Sequence, residues 1–190
     1  MKTPVRFFYS IPGVAVLTAL VLSIPLIAMQ VTTEVQWRAG DFLIMGMLLF
    51  STGSAFVVIT RNLPTLIQRV AFAAALATTF MLVWVNLAVG LIGSGAHAGN
   101  LMYVAVVAVV LIGTSVSRFA ARGMALTMFA AALTLAIIAA IALLANMQAY
   151  PGSSVAEILA VNTCFAFLYA VTGLLFRYAG VPPAPEQPPV

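Results

Sequence analysis

Charged side chains are scarce in this chain. Only 6% of its 190 residues are Asp, Glu, Lys or Arg, whereas a soluble domain carries roughly 25%. A surface with so few charges cannot face water over most of its area, which excludes a soluble globular protein. The eight basic residues are also spread along the chain, and they form no basic patch of the kind that binds nucleic acid. We therefore expect no nucleic-acid partner.

Side chains that form disulfides or hold metals are equally few. Cys164 is the one cysteine and lies in an apolar stretch, which excludes a disulfide framework and a Cys-x-x-Cys pair. His97 is the one histidine and lies in the short loop GSGAHAGN, whereas a haem within a membrane usually needs two axial histidines in the spans. Zinc and di-iron sites lack ligands as well. The sequence therefore predicts no metal and no cofactor.

The nucleophiles that membrane enzymes use also lack their partners. Ser94, in GSG, resembles the serine of an intramembrane protease, but no histidine follows it in a later span to act as the base. Lys2 is the only lysine and lies at the terminus, so no lysine is available for a retinal Schiff base. No phosphate-binding loop or dinucleotide fingerprint is present. We expect a protein that is not an enzyme.

Long apolar runs, by contrast, dominate a chain that is 64% hydrophobic. Several reach or approach the ~20 residues that cross a bilayer, and we predict spans at about 13–31, 41–60, 68–93, 101–117, 124–146 and 155–176. The first span follows a basic start without a convincing cleavage site, so we interpret it as a retained signal anchor that contains Pro25. The expected fold is all-α: a polytopic six-helix transmembrane domain over residues 1–179, followed by a proline-rich disordered tail over 180–190.

The basic residues predict the topology, because positively charged loops stay in the cytoplasm. All but Arg38 fall on one set of alternating loops: Lys2, Arg6, Arg61, Arg69, Arg118, Arg122 and Arg177. Both termini are then cytoplasmic, and the lipid bilayer is a partner of the chain. Along this boundary we expect Arg61, Arg69, Arg118 and Arg122 to contact lipid phosphates.

A polar stripe runs along the third span. Helical spacing places Thr79, Asn86, Gly90 and Gly93 on one face. Asn162 lies at the same predicted depth in the sixth span, which makes it a possible partner of Asn86. Small residues let helices approach closely in lipid, and asparagine can hydrogen-bond across the contact. We favour a helix–helix contact, and a ligand or ion site remains the alternative.

Two acidic residues lie at the predicted outer ends of spans. Asp41 follows Gly40 and fits an N-cap, and Glu157 completes a capping box with Ser154. Capping explains both carboxylates. The alternative is an outward-facing polar vestibule in the outer half of the bundle, formed by Asp41, Asn86, Asn100, Glu157 and Asn162.

Three stretches carry a resemblance to a known group of proteins. EVQWRAGDFLIMGMLL, LVWVNLAVGLIG followed by NLMY, and AEILAVN resemble a group of small six-helix proteins of the bacterial inner membrane. The resemblance spans most of residues 30–176. It implies a multi-pass protein of the bacterial cytoplasmic membrane, and it carries over no activity, ligand or site residue.

These observations favour a non-enzymatic protein that acts by association. We expect an accessory or assembly subunit of a larger membrane complex, or a homo-oligomer, since the spans hold few ionisable groups and many Gly and Ala residues. The Gly- and Ala-rich stretch over 123–146 is the most exposed face of this kind that the sequence suggests. The alternative is a small transporter or channel that uses the polar vestibule. A lipid or quinone bound between helices is a third interpretation.

Overall fold

The computed structural model describes residues 9–61, 63–93 and 97–180. This part of the chain is all-α, and it contains six helices that are long and apolar enough to span a membrane. They are α1 (Ile11–Val31), α2 (Ala39–Thr60), α3 (Leu66–Ala88), α4 (Tyr103–Ser117), α5 (Ala121–Leu144) and α6 (Val155–Ala179). Short 3₁₀ segments, Ala98–Met102 and Met147–Ala149, precede α4 and follow α5. The predicted all-α class and the six apolar helices are confirmed.

Two compact units make up the chain, and the single transmembrane domain over residues 1–179 stays a prediction. Met1–Leu63 holds α1 and α2, and Pro64–Val190 holds α3 to α6. We call them the α1–α2 unit and the α3–α6 unit and describe each by itself. Lys2, Arg6, Ser94 and the predicted tail from residue 181 onward lie outside the described residues.

Glycines set the packing of α1 against α2. A Cβ at Gly53 would lie 2.7 Å from Cγ1 of Val14, and one at Gly46 would lie 3.3 Å from Cδ1 of Leu22. The later contact on α1 pairs with the earlier contact on α2, so the two helices run antiparallel. Small residues bring the two backbones together here, as they do in membrane helix pairs generally.

The start of α1 is fixed by local chemistry. Ser10 is the N-cap, and its Oγ accepts a hydrogen bond from Gly13 N at 3.3 Å. Pro12 follows in the first turn, where its missing N–H costs no helical hydrogen bond. Pro25 lies inside α1 as predicted, and the helix continues through it to Val31.

In the α3–α6 unit, α5 packs against α4 and α6, and α6 also packs against α3. The largest fully buried side chains come from several of these helices and include Leu82, Met128, Leu135, Tyr169 and Phe176. At one end of the unit, the rings of Phe72 and Phe176 meet edge to face with centroids 4.8 Å apart. The core of this unit is therefore built along α5 and α6.

The small residues of α5 lie on two sides of the helix. Ala125, Ala131, Ala139 and Ala142 are buried within the unit, whereas Ala130, Ala136 and Ala140 are exposed on the side that also bears Leu126, Leu133 and Leu144. The stretch 123–146 is therefore exposed only in part. Composition shows that a helix can pack closely, but it does not show whether the neighbour belongs to the same chain.

Glycines also bring α4 and α5 into close contact. A Cβ at Gly113 would lie 2.5 Å from both Cγ2 and Oγ1 of Thr127. A Cβ at Gly123 would meet Cβ and Cα of Ser117. The turn between the helices is tight, since Arg118 and Phe119 both adopt left-handed backbone angles, with φ of 48° and 64°. Gly123 begins the stretch 123–146 that the sequence predicts to pack closely, whereas Gly113 gives no such signal because it is isolated within an apolar run.

The end of α3 differs from the predicted span. The helix ends at Ala88, whereas the predicted span reaches residue 93. Gly90 and Gly93 have φ of 78° and 69°, in the left-handed region that glycine adopts without strain. They shape the turn after α3, so the predicted polar stripe stops at Asn86 within the helix.

Candidate functional site

Asn100 organises the segment between α3 and α4. Its Oδ1 accepts hydrogen bonds from Leu91 N at 2.8 Å and Ile92 N at 2.9 Å, and its Nδ2 donates to Ile92 O at 3.3 Å. The side chain is buried. It therefore supplies hydrogen-bond partners to the backbone groups of Leu91 and Ile92, which lie beyond the end of α3. We call the end of the α3–α6 unit that holds residues 89–93, 97–102 and 145–154 the polar end.

Asn86 lies in the last turn of α3 and contacts this segment. Its Nδ2 donates to the Asn100 carbonyl oxygen at 3.2 Å. Its Oδ1 is shielded from solvent and has no hydrogen-bond partner among the described residues. An unsatisfied buried acceptor costs about 1–3 kcal/mol, so within the described ranges this oxygen is a buried polar atom with free capacity for a hydrogen bond.

Asn162 joins α6 to α4 through Tyr103. Its Nδ2 donates to the Tyr103 hydroxyl at 3.0 Å and to Ile158 O at 2.9 Å, and the same hydroxyl donates to Asn162 Oδ1 at 3.3 Å. Asn162 and Tyr103 are both buried. The pair is a satisfied interhelical contact of the kind that the sequence analysis favours for asparagine.

The expected bond between Asn86 and Asn162 is not the one that forms. Each asparagine has its own partner, and the two are linked only through the start of α4. The Asn100 carbonyl accepts from both Asn86 Nδ2 and the backbone N–H of Tyr103, whose hydroxyl bonds to Asn162. Similar depth along neighbouring helices predicts proximity, but the direction of each side chain decides the partner.

Thr79 and Tyr169 form the side-chain hydrogen bond that does join α3 to α6. Their hydroxyl oxygens are 3.0 Å apart. Thr79 Oγ1 also donates to Ala75 O at 2.8 Å, so the Tyr169 hydroxyl is the donor to Thr79. The sequence analysis includes Thr79 in the polar stripe and does not pair it with Tyr169. A tyrosine within an apolar span was the available signal, because a buried hydroxyl usually has a partner.

The two loops at the polar end pack on each other. The rings of His97 and Tyr150 lie with centroids 4.0 Å apart. His97 Nδ1 accepts a hydrogen bond from Gly99 N at 3.1 Å. A Cβ at Gly93 would lie 3.5 Å from Pro151 O, and one at Gly99 would lie 3.2 Å from Met147 Sδ. His97 and Gly93 thus contribute to loop packing.

The two acidic candidates lie at helix starts. Asp41 Oδ2 accepts a hydrogen bond from Arg38 N at 2.7 Å. Arg38 is the N-cap and Asp41 the third residue of α2, so Asp41 is not itself the predicted N-cap. At the start of α6, Ser154 Oγ accepts from Glu157 N at 3.1 Å, which is one half of the expected capping box. Both carboxylates are exposed and lie near the positive end of a helix dipole.

The five residues of the predicted vestibule divide into four sets. Asn86 and Asn100 are joined directly, and Asn162 is held by Tyr103. Glu157 makes no side-chain hydrogen bond or ion pair within the part of the chain that the structure describes. Asp41 belongs to the α1–α2 unit. The structure therefore brings together two of the five as a direct pair.

The four arginines predicted to contact lipid phosphates lie at helix ends. Arg61 is the C-cap of α2, and Arg118 is the C-cap of α4. Arg69 and Arg122 lie in the first turns of α3 and α5. All four are exposed. Contact with lipid phosphates stays a prediction.

The six apolar helices indicate a multi-pass membrane protein of all-α class. Within the described ranges, no group of three or more His, Cys, Asp or Glu side chains is placed to hold a metal ion. No family model, curated protein or solved structure matches the chain. The resemblance to small proteins of the bacterial inner membrane, and the location that it implies, therefore stay predictions.

Proposed function

We propose that this protein is a non-enzymatic integral protein of the bacterial inner membrane that acts by association. It serves as an accessory or assembly subunit of a larger membrane complex, or it forms a homo-oligomer. Both of its termini are cytoplasmic. The observation that carries this proposal is the way in which the buried polar side chains of the α3–α6 unit bond to one another and to backbone.

The hydrogen bonds between helices favour a rigid scaffold protein over a transporter. Tyr103 with Asn162 and Thr79 with Tyr169 connect helices through mutual hydrogen bonds. Polar groups that serve a solute line a cavity and keep bonding capacity free for it. Here the bonding capacity of these side chains is directed to neighbouring helices, which favours a rigid body that other proteins bind.

Burial in the α1–α2 unit supports association as well. In the most apolar part of α1 and of α2, 6% of the residues are buried, compared with 39% in α5. The smaller buried share means that α1 and α2 offer more free helical surface for a second protein than α5 does. Dispersion contacts and close approach, which drive helix association in lipid, are available there at Ser51 and Gly40, both of which are exposed.

The mass of the purified particle tests this proposal. The full-length chain is purified in a mild detergent, and its protein mass is measured by light scattering coupled to size exclusion. We expect a mass of at least two chains, or a stoichiometric co-purifying membrane protein. A monodisperse monomer without a partner, obtained at micromolar concentration, contradicts association.

A small transporter or channel is the second candidate, and one observation favours it. Asn86 Oδ1 is buried near the polar end without a hydrogen-bond partner among the described residues, so it can accept a hydrogen bond from a solute or coordinate an ion. Solute flux into liposomes that contain the purified chain tests this function. Flux that both Asn86→Leu and Glu157→Gln abolish, with Asn146→Leu as an unaffected control, would establish transport in place of association.

A further inference from the structure

An apolar groove of about 320 Å³ runs between α1 and α2. Its lining residues follow one stripe on each helix: Tyr9, Val14, Leu17, Thr18 and Val21 on the first side, and Leu49, Gly53, Phe56 and Val57 on the second. The volume falls at the lower end of the ~300–1,000 Å³ that ligand pockets occupy. Only the hydroxyls of Tyr9 and Thr18 interrupt the apolar lining.

The groove exists because the two helices meet through a glycine. Gly53 lies against Val14, so no side chain at position 53 fills the space between Leu49 and Phe56. The walls remain reachable from outside, since Leu17 and Val21 are 42% and 41% exposed and Tyr9 is 61% exposed. A long, thin apolar molecule can therefore lie in the groove without any opening of the helix pair.

The groove fits within the depth of one leaflet of a membrane. Its helical lining on α1, Val14 to Val21, spans about 10 Å at the rise of 1.5 Å per residue, and Tyr9 extends the lining beyond the start of the helix. The hydrocarbon core of a bilayer is ~30 Å thick, so one leaflet is about 15 Å deep. A single acyl chain that enters from the membrane surface would reach from one end of the groove to the other.

The charges of this unit distinguish its two ends. The Tyr9 ring lies 6.4 Å from the Phe56 ring, and Arg61 follows Phe56 by about 7.5 Å along α2. Glu34, Arg38 and Asp41 lie at or near the connection between the helices, at the opposite end, and two of these three are acidic. Among the described residues, the end that bears Tyr9 thus carries the cation Arg61, which complements a phosphate and gives no advantage to an uncharged quinone.

We propose that the α1–α2 groove binds one acyl chain of an anionic phospholipid whose phosphate contacts Arg61. This binding is independent of the proposed association, because the groove is formed within one chain. It requires only that α1 and α2 lie in a membrane, as their length and apolar composition indicate.

Native mass spectrometry of the full-length chain tests the site. The chain is reconstituted in nanodiscs with equal parts of phosphatidylglycerol and phosphatidylcholine and is then released from them. Thr18→Phe fills the middle of the groove, and Ala19→Phe adds the same ring at an exposed position that does not line it. We expect one retained phosphatidylglycerol on the wild type and on Ala19→Phe, and loss of that lipid from Thr18→Phe.

Two further variants keep the test decisive. Leu49→Trp fills the groove from α2 and replaces Thr18→Phe if circular dichroism shows that the latter is unfolded. Arg61→Gln is expected to lower the preference for phosphatidylglycerol over phosphatidylcholine about fivefold, as a basic residue near an anionic surface contributes about 1 kcal/mol. Arg177→Gln, in the other unit, is the control and should leave the preference unchanged.

Several outcomes would overturn the proposal. Equal lipid retention by Thr18→Phe and Ala19→Phe would show that the lipid binds elsewhere. Displacement of the phosphatidylglycerol by added ubiquinone would assign the groove to a neutral isoprenoid. A dimer of the wild type that Thr18→Phe alone dissociates would show that a second copy occupies the groove.

Discussion

The carboxamide of Asn100 forms hydrogen bonds with backbone N–H and C=O groups that would bond to other backbone groups in a regular helix. Both of its polar atoms bond to the peptide groups of Leu91 and Ile92, in a segment that has no helical hydrogen bonds of its own. Within or near a membrane such groups have little water to bond to, so a side chain must satisfy them. Asn100 is thus the polar residue on which the geometry of the polar end depends most.

Asn100→Leu and Asn86→Leu should therefore differ in effect. Asn100→Leu leaves the Leu91 and Ile92 amides without an acceptor and should cost about 2–5 kcal/mol at ~1–3 kcal/mol per buried unsatisfied group. Asn86→Leu removes one bond of 3.2 Å and also removes the unpartnered Oδ1, so it should change stability little. Thermal unfolding in detergent, followed by circular dichroism, gives the comparison. Equal destabilisation by the two variants contradicts this account of Asn100.

The sequence predicts the positions of the helices better than it predicts the contacts between them. Apolar length gave six helices because a run of about 20 apolar residues has few alternatives to a membrane-spanning helix. The end of α3 was predicted less well. Gly90 was interpreted as part of a small-residue stripe, although a glycine with positive φ just after a helix is also a C-terminal signal. A glycine in a helix–helix contact and a glycine that ends a helix look the same in the sequence. Only the backbone angle φ distinguishes the two roles.

The close contact of α4 with α5 predicts that a larger residue at Gly113 destabilises the chain. Gly113→Ala places a methyl group 2.5 Å from Thr127, and overpacking of this kind costs about 1–3 kcal/mol. Thr127→Ala in the same chain should restore part of the loss, because it removes the two atoms that the new methyl group meets.

The matched control is a helical glycine with free space. A Cβ at Gly40, in α2, meets nothing within 4 Å, so Gly40→Ala should stabilise the chain by up to about 1 kcal/mol through helix propensity. The midpoint of thermal unfolding in detergent should fall for Gly113→Ala and stay level or rise for Gly40→Ala. A rise for both variants would show that α4 and α5 can separate without loss.

For the whole molecule, composition is enough to predict the class of protein. Prediction of the site also requires the directions of the side chains, which composition does not contain. Few charges and long apolar runs are properties of the sequence itself. The pairing of Asn162 with Tyr103 depends on the way in which α6 turns toward α4, and one sequence does not contain that information. The same limit explains why composition does not separate the buried alanines of α5, such as Ala131, from the exposed ones, such as Ala136.

The topology is a prediction for the whole molecule. If positively charged loops are cytoplasmic, alkaline phosphatase fused after His97 or within the connection at Glu34 should be active, and green fluorescent protein fused there should stay dark. Fusions after Leu63 and Gly180 should behave in the opposite way, since these positions lie beside Arg61 and Arg177. Fluorescence and phosphatase activity in cells measure both. Active phosphatase after Gly180 would place the C-terminus outside and overturn the six-span topology.

The bonds of Asn100 also bear on the order in which the chain is made. They reach only 8 or 9 residues along the sequence, and the bond from Asn86 reaches 14, so this segment can complete them as soon as it leaves the ribosome. Asn162 is 59 residues from Tyr103, and at ~5–20 residues per second it is synthesised roughly 3–12 s later. The hairpin of α3 and α4 would then enter the membrane with the hydrogen bonds of Asn100 already formed. The Tyr103 hydroxyl would gain its bond to Asn162 only after α6 has been synthesised and inserted.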